Sequence, residues 1–304
     1  MSDPSLRLDH VLTFTLAERV ETSLERYRSA GFLVSDHIAE WDPGLRNGFI
    51  NLWPEYLELL CVDDSDRFRT EASDTLKQAA AACRPYGLGF YSDDTVAIHD
   101  RWTRLGLEVP PPEMLRLAAT PESAPPDFCE MEAPSLEGAE CFVLTSYFPN
   151  AAMRRFMQVA PNTVFGLGGL TLVADQPHRR SRRWAETLGI DVLSTSDGEA
   201  SLAFGLHRFR WISPQEYATR FDDQWIPGVS EIAMVHLLAE DPTVAAAMLR
   251  LSGWNVDVSR GGIVVAHHSE DGFTFAIEQG LADQWNASRL AVWGETLELQ
   301  RETL

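Results

Sequence analysis

An imidazole and a carboxylate stand in two short apolar stretches near the start of the chain. His10 lies within residues 8–15, and Glu58 lies within residues 56–60. The alternation and length of both stretches predict β-strands. The first strand is predicted to place four side chains on one face: Leu8, His10, Leu12 and Phe14. A carboxylate inside an apolar strand needs a cation or a hydrogen-bond donor beside it, and an imidazole with a carboxylate can bind a divalent cation.

Each of these residues could also have a purely structural role. His10 could be a hydrogen-bonded histidine of the core, and Glu58 could be an interior carboxylate paired with Arg46. Two protein ligands are fewer than the three or four that zinc and iron sites normally use. The residues alone therefore leave the cation site and the structural reading open.

Additional ligands could come from the last part of the chain. Glu278 holds the same place in a late repeat unit that Glu58 holds in the first, and His236 lies in the opening strand of that late unit. His236 is expected about three residues out of register with His10, so a bulge would have to reorient it. These residues would complete the site only if the first and fourth units shared one cup.

The elements that position these residues form a degenerate repeat. Four helical stretches each end in a glycine turn, at Gly31, Gly106, Gly189 and Gly253. The period is about 75 residues, and each copy mixes one helix with about four strands. A half-buried sheet with one covering helix must pair with another copy to bury its apolar face.

We therefore predict an α+β fold of four βαβββ modules. The modules pair into two curved, cup-shaped mixed β-sheets with the helices on the outside. Residues 1–150 are predicted to form one domain from modules one and two, and residues 160–304 a second domain from modules three and four.

Composition and charge exclude several classes of function. The chain has 304 residues, a formal net charge of −20 and a pI near 4.7, so its field repels nucleic acids and anionic membrane surfaces. It contains neither a membrane-length apolar run nor an N-terminal signal pattern. The four cysteines form no Cys-x-x-Cys motif and are read as reduced thiols, which predicts a cytoplasmic location. Nucleophilic catalysis lacks support because there is no Gly-x-Ser-x-Gly motif.

Several stretches together resemble the vicinal oxygen chelate superfamily, the fold of glyoxalases, bleomycin resistance proteins and extradiol dioxygenases. They are residues 8–11, the helix ending at residues 30–32, Pro43-Gly44 followed by Asn47, and residues 56–59. Residues 139–149 and 160–173 resemble the second half of larger bacterial members.

The resemblance implies a divalent metal, Zn, Fe, Mn or Ni, at the floor of a cup, and it carries over to His10 and Glu58 as ligands. Glu58 is also predicted to be catalytic, through proton transfer. Four residues are predicted to contact the substrate: Arg46, Asn47, Trp53 and Tyr147. The chain departs from the pattern where larger relatives carry histidines, because Ser146 or Tyr147 and Ala160 stand there instead.

Two functions of different class follow. The first is a metal-dependent lyase or isomerase, or a dioxygenase, acting on a small oxygenated molecule. The second is a metal-free protein that binds or sequesters a small molecule. A small-molecule ligand is the predicted partner in both cases, and a homodimer is left open.

Overall fold

The computed structural model describes most of each predicted module. The described residues are 6–16, 19–34, 39–40, 45–52, 55–62, 85–116, 127–134, 136–146, 159–196, 198–221, 230–259, 262–268, 270, 272–285 and 287–288. The predicted substrate contacts Trp53 and Tyr147 lie outside them.

Each module runs strand, helix and then further strands. The first comprises β1 (Leu6–Leu16), α1 (Val20–Ser29), β2 (Leu33–Val34), β3 (Ala39–Glu40), β4 (Leu45–Asn51) and β5 (Tyr56–Val62). The second comprises β6 (Pro85–Ser92), α2 (Thr95–Arg104), β7 (Glu113–Arg116), β8 (Asp127–Glu132) and β9 (Glu140–Ser146).

The other two modules repeat this order. The third comprises β10 (Val164–Val173), α3 (Pro177–Leu188), β11 (Val192–Ser196), β12 (Glu199–Phe204) and β13 (His207–Ile212). Helix α4 (Pro214–Phe221) follows it. The fourth comprises β14 (Ile232–Ala239), α5 (Pro242–Leu251), β15 (Asn255–Val258), β16 (Val264–His267) and β17 (Thr274–Gln279).

The modules pair into two mixed sheets. The first sheet has nine strands in the order β2-β4-β5-β1-β6-β9-β8-β7, with β3 on β4. The second has eight strands in the order β11-β12-β13-β10-β14-β17-β16-β15. At each centre the first strands of two modules pair antiparallel, and each of these strands pairs in parallel with the last strand of its own module. The predicted α+β fold of paired βαβββ modules is confirmed.

The pairing rules out one alternative. A cup shared by the first and fourth modules is needed to bring His236 and Glu278 to His10, but β1 and β14 lie in different sheets. The predicted domain division falls at residues 150–160, and residues 147–158 lie outside the described residues, so the division stays a prediction.

The helices follow from local signals in the sequence. Asp94 caps α2 by accepting a hydrogen bond from the backbone N–H of Ala97, and Asp241 caps α5 in the same way. The four repeat glycines all have positive φ, at 81°, 74°, 71° and 86° in chain order. A residue with a Cβ is strained in that conformation, so glycine at each turn lets the helix end and the next strand begin.

The core lies between the helices and the face of each sheet turned toward them. In β5 the side chains of Leu57, Leu59 and Cys61 are fully buried in this core. The alternating residues of the strand face the concave side, because successive side chains of a strand point to opposite faces. Tyr56 and Glu58 are therefore on the face that forms the cup.

The two sheets are joined through their helices. Tyr27 of α1 packs edge-on against Trp254 of the fourth module, with ring centroids 5.3 Å apart. Trp102 of α2 donates a hydrogen bond from its indole Nε1 to the backbone oxygen of Thr187 in the third module, at 2.7 Å. Module one thus pairs with module two in a sheet, and packs against module four across the core.

Among the described residues, no helix combines the length and the apolar character that crossing a membrane requires. Cys61, Cys129 and Cys141 are buried free thiols.

We predict that Trp102→Phe destabilises the protein by about 1–2 kcal/mol, because it leaves the Thr187 oxygen without its shortest hydrogen bond. Urea unfolding measures the difference. Val96→Ala, on an exposed position of the same helix, should stay within about 0.5 kcal/mol of the wild type. Equal stability of Trp102→Phe and the wild type would show that this bond does not join the sheets.

Candidate functional site

A β-bulge turns His10 into the cup of the first sheet. Leu8 pairs with Phe90 and His10 pairs with Gly89, so Asp9 is an extra residue in β1. Phe90 and Gly89 are neighbours on β6 and face opposite sides, and directly paired residues share a face. Leu8 therefore joins the core while His10 faces the cup, which corrects the prediction that the two share a face.

A glycine on the partner module makes room for the imidazole. A Cβ added to Gly89 would overlap the His10 ring. Tyr56 stacks on the ring with centroids 4.5 Å apart and planes at 19°, and Phe142 lies 5.1 Å away. His10 retains 1% exposure. The ring is thus fixed in position by its neighbours on β5, β6 and β9.

Glu58 reaches the same point from the neighbouring strand. In the parallel pairing of β1 and β5, His10 is opposite Tyr56 and Glu58 is two residues further along. Glu58 Oε2 lies 3.4 Å from His10 Nε2. Asn47, on the other side of β5, donates a hydrogen bond to Glu58 Oε1 at 2.9 Å. The structure brings together three of the predicted site residues: His10, Glu58 and Asn47.

The hydrogen bonds of His10 define which nitrogen is available. Asp9 Oδ2 lies 2.8 Å from Nδ1, and a carboxylate can only accept, so Nδ1 carries a proton. Nε2 is buried and has no hydrogen-bond partner among the described residues, although it faces Glu58. A neutral ring would therefore direct a lone pair at a carboxylate, which is unfavourable unless a proton or another cation lies between them.

Burial and neighbouring charges shift the pKa values of this pair. Burial lowers the pKa of His10, but the hydrogen bond to Asp9 and the charges of Glu58, Asp9 and Glu130 together raise it above its usual value. Burial also raises the pKa of Glu58, despite the charge of His10 and the hydrogen bond from Asn47. Both shifts favour protonated forms, so the pair retains a proton that a metal ion would displace.

Glu130 is a functional candidate that the sequence analysis did not identify. It lies on β8 between the buried side chains of Cys129 and Met131, so it faces the cup. Its Oε2 is buried without a hydrogen-bond partner in the described part of the chain. Burial, with smaller effects from nearby charges, raises its pKa to about 7. The alternation in residues 127–132 is the signal that could have pointed to it.

His10 Nε2 and the nearby oxygen of Glu58 are atoms of a type that binds metal ions, and the distance between them suits a bound cation. Two ligands bound to a tetrahedral ion at about 2.1 Å each are about 3.4 Å apart, which matches the distance between His10 Nε2 and Glu58 Oε2. Asp9 on Nδ1 is the usual outer partner of a metal-binding imidazole. Within the part of the chain that the structure describes, no group of three or more His, Cys, Asp or Glu residues could hold a metal ion. A cation here would complete its coordination with water and ligand oxygens.

Arg46 is not brought to the site. It pairs with Cys61 across the strands, which places it on the face away from the cup, and its guanidinium binds Glu21 of α1 at 3.1 Å. Its predicted contact with the substrate stays untested. The alternative reading in which Arg46 pairs with Glu58 is wrong, because Asn47 takes that place.

The second sheet contains a histidine and a glutamate in the same register. His236 is opposite Ala276, and Glu278 is two residues further along β17, which matches His10, Tyr56 and Glu58 in the first sheet. The expected offset of three residues is therefore wrong. His236 differs in its partners, because Nδ1 lies 2.5 Å from Glu278 and Nε2 lies 2.7 Å from Thr171 Oγ1. Neither ring nitrogen is left without a partner.

Comparison with known proteins finds similarity in structure and not in sequence. No family model matches the chain, and no characterised protein sequence matches it significantly. A hypothetical protein from Staphylococcus aureus has a TM-score of 0.64 at 11% identity, over 90% of this chain and 100% of that one. The Mn(II)-bound glyoxalase from Novosphingobium aromaticivorans has a TM-score of 0.55 at 12% identity, over 91% and 83%.

A third solved structure is similar over nearly its whole length. The 2,3-dioxygenase LapB from Pseudomonas sp. KL28 has a TM-score of 0.56 at 14% identity, over 92% of this chain and 94% of that one. Identities this low show the shared fold alone. The fold predicted from the sequence resemblance is thereby confirmed.

We predict that Gly89→Ala displaces the His10 ring and costs about 1–3 kcal/mol, because the new methyl group overpacks the site. In a His10→Ala background the space is free, and the same substitution should cost less. Urea unfolding of the four proteins of this double-mutant cycle measures the coupling. Equal costs in both backgrounds would contradict the contact.

Proposed function

We propose that this chain, which has the vicinal oxygen chelate fold, is a metal-dependent enzyme of the lyase, isomerase or dioxygenase kind that binds a divalent cation between His10 and Glu58. The observation that carries the proposal is the buried Nε2 of His10, which lacks a hydrogen-bond partner among the described residues and lies 3.4 Å from Glu58 Oε2. A small oxygenated molecule is the proposed substrate in the cup of the first sheet.

The residues around the cation have separate roles. His10 Nε2 and Glu58 would be its ligands, Asp9 orients the imidazole, and Asn47 orients the carboxylate. When bound, the cation supplies Lewis acidity that polarises an oxygen of the substrate. The metal is one that accepts an imidazole together with oxygen ligands, which leaves Zn, Fe, Mn and Ni as candidates.

Proton transfer is assigned to Glu130 in this proposal. A pKa of about 7 is well matched to taking and returning a proton at neutral pH. Within the described ranges, its Oε2 has no hydrogen-bond partner that would compete for the proton. The sequence predicts Glu58 to be both ligand and catalytic carboxylate; with Glu130 beside it, Glu58 is needed only as a ligand.

A second candidate function is metal-free binding of a small molecule. It is favoured by the lack of a group of three or more metal-binding side chains in the ranges that the structure describes. Metal content separates the two candidates. A cytoplasmic location and a homodimer stay predictions under either.

We predict that the wild-type protein binds about one equivalent of Mn²⁺ or Zn²⁺, and that His10→Ala and Glu58→Gln each weaken binding by about 100-fold or more, because each removes a ligand. Isothermal titration and elemental analysis after dialysis measure this binding. His236→Ala is the matched control, since both nitrogens of that ring have partners in the protein, and it should bind metal like the wild type.

Two outcomes would contradict the assignment. If His236→Ala abolished metal binding and His10→Ala did not, the cation site would lie in the second sheet. If the wild type bound no divalent metal and still bound a small molecule, the metal-free function would replace the proposed one.

We also predict that metal affinity rises with pH through the range from about 6 to 8. The raised pKa of His10 keeps a proton on the ring above its usual value of 6.5, and the metal must displace that proton. Affinity should rise up to about tenfold per pH unit until that pKa is passed. Titrations in buffers of different ionisation enthalpy count the released protons.

Asp9→Asn provides the control, because it removes a charge that raises the His10 pKa. The rise in affinity should then move to lower pH. A metal affinity that is constant across this range would show that His10 is not a ligand.

A further inference from the structure

The cup of the second sheet contains a cavity of about 220 Å³. This volume is below the roughly 300–1,000 Å³ of pockets for drug-sized molecules, so the cavity suits a small ligand. Its walls come from strands of the third and fourth modules and from one later tryptophan. The lining residues are Gly168, Leu170, Leu206, Arg208, Arg210, His236, Leu238, Glu278 and Trp285.

Two arginines on one face of a strand give this cavity positive charge. Arg208 and Arg210 are two residues apart on β13, so both side chains point to the cup. Arg210 Nε lies 3.2 Å from Glu199, while Arg208 forms no ion pair with a described residue. Such a pair is unexpected in a chain with a net charge of −20, and a guanidinium exposed to a cavity can bind an anion.

The acidic residue in the cavity already has a hydrogen-bond partner in the protein. Glu278 Oε1 lies 2.5 Å from His236 Nδ1, and this hydrogen bond, with the charges of His236, Arg210 and Arg208, lowers the pKa of Glu278. His236 Nε2 is engaged by Thr171. The histidine and the glutamate thus satisfy each other's hydrogen bonds. Arg208 is left to meet a ligand, with Arg210, which also faces Glu199, beside it.

The remaining walls are apolar. Leu170, Leu206 and Leu238 contribute aliphatic surface, and Trp285 contributes an aromatic ring. A ligand that fits the whole cavity therefore has an anionic group at one end and an apolar body at the other. Guanidinium groups bind carboxylates through two parallel hydrogen bonds.

We propose that the second sheet contains a metal-independent binding site for a small organic carboxylate with an apolar body. Arg208 and Arg210 bind the carboxylate, and the leucines and Trp285 contact the body. The site is separate from the cation site proposed at His10 and Glu58, and each can fail without the other.

Benzoate is the probe for this site. Isothermal titration of the full chain, in low salt with a chelator present, should show about one benzoate bound per chain. Acetate has the carboxylate but lacks the apolar body, and benzyl alcohol has the ring but lacks the charge. Both should bind at least about tenfold more weakly than benzoate. Arg208→Gln and Arg210→Gln should each weaken benzoate binding about tenfold or more, because each removes a charge-assisted hydrogen bond.

Matched variants distinguish benzoate bound in this cavity from benzoate bound elsewhere on the protein. Arg183→Gln removes an exposed arginine of α3 and should bind benzoate like the wild type. His10→Ala and Glu58→Gln should also bind it unchanged, whatever their effect on metal. Arg208 is exposed and makes no ion pair with a described residue, so Arg208→Gln should keep the wild-type melting temperature and is the decisive variant.

Three results would overturn the proposal. They are no binding of benzoate to the wild type, benzoate affinity unchanged in Arg208→Gln, and benzoate binding no tighter than that of inorganic phosphate. Retained binding in His10→Ala together with loss in Arg208→Gln would support it even if no metal bound to the first sheet.

Discussion

The antiparallel pairing of two opening strands at the centre of each sheet determines where every candidate group lies. In the first sheet this pairing contains a bulge at Asp9, which directs His10 into the cup over Gly89. The parallel pairing of β1 with β5 then sets Glu58 two residues beyond the partner of His10. A shift of one residue in either pairing would turn the imidazole or the carboxylate into the core, because the side-chain period of a strand is two.

The modules and the strands that carry the site could be predicted from the sequence. The four glycine turns indicated four modules, and the alternation around Glu58 indicated a strand with one polar face. The packing of module one against module four across the core could not be predicted, because local patterns do not show which helices will face each other. The bulge at Asp9 was also invisible, since Leu8 and His10 fit a regular alternation equally well.

Two other features of the candidate site could be recognised only from the register between strands. Glu130 is one carboxylate among several in an acidic chain. Glu113 is paired directly opposite it on the same face but is exposed, so the buried Oε2 of Glu130 is what separates the two. The match between His236 with Glu278 and His10 with Glu58 depends on parallel pairing of strands about 40 to 50 residues apart in sequence, which local patterns do not define.

The crossed packing of the helices has a consequence for the chain as a whole. Tyr27 of the first module contacts Trp254 of the fourth, and Trp102 of the second reaches the third. If the polypeptide were divided between the two sheets, each half would expose large aromatic surfaces that are now covered. Separately produced halves would therefore tend to aggregate alone and to reassemble when mixed.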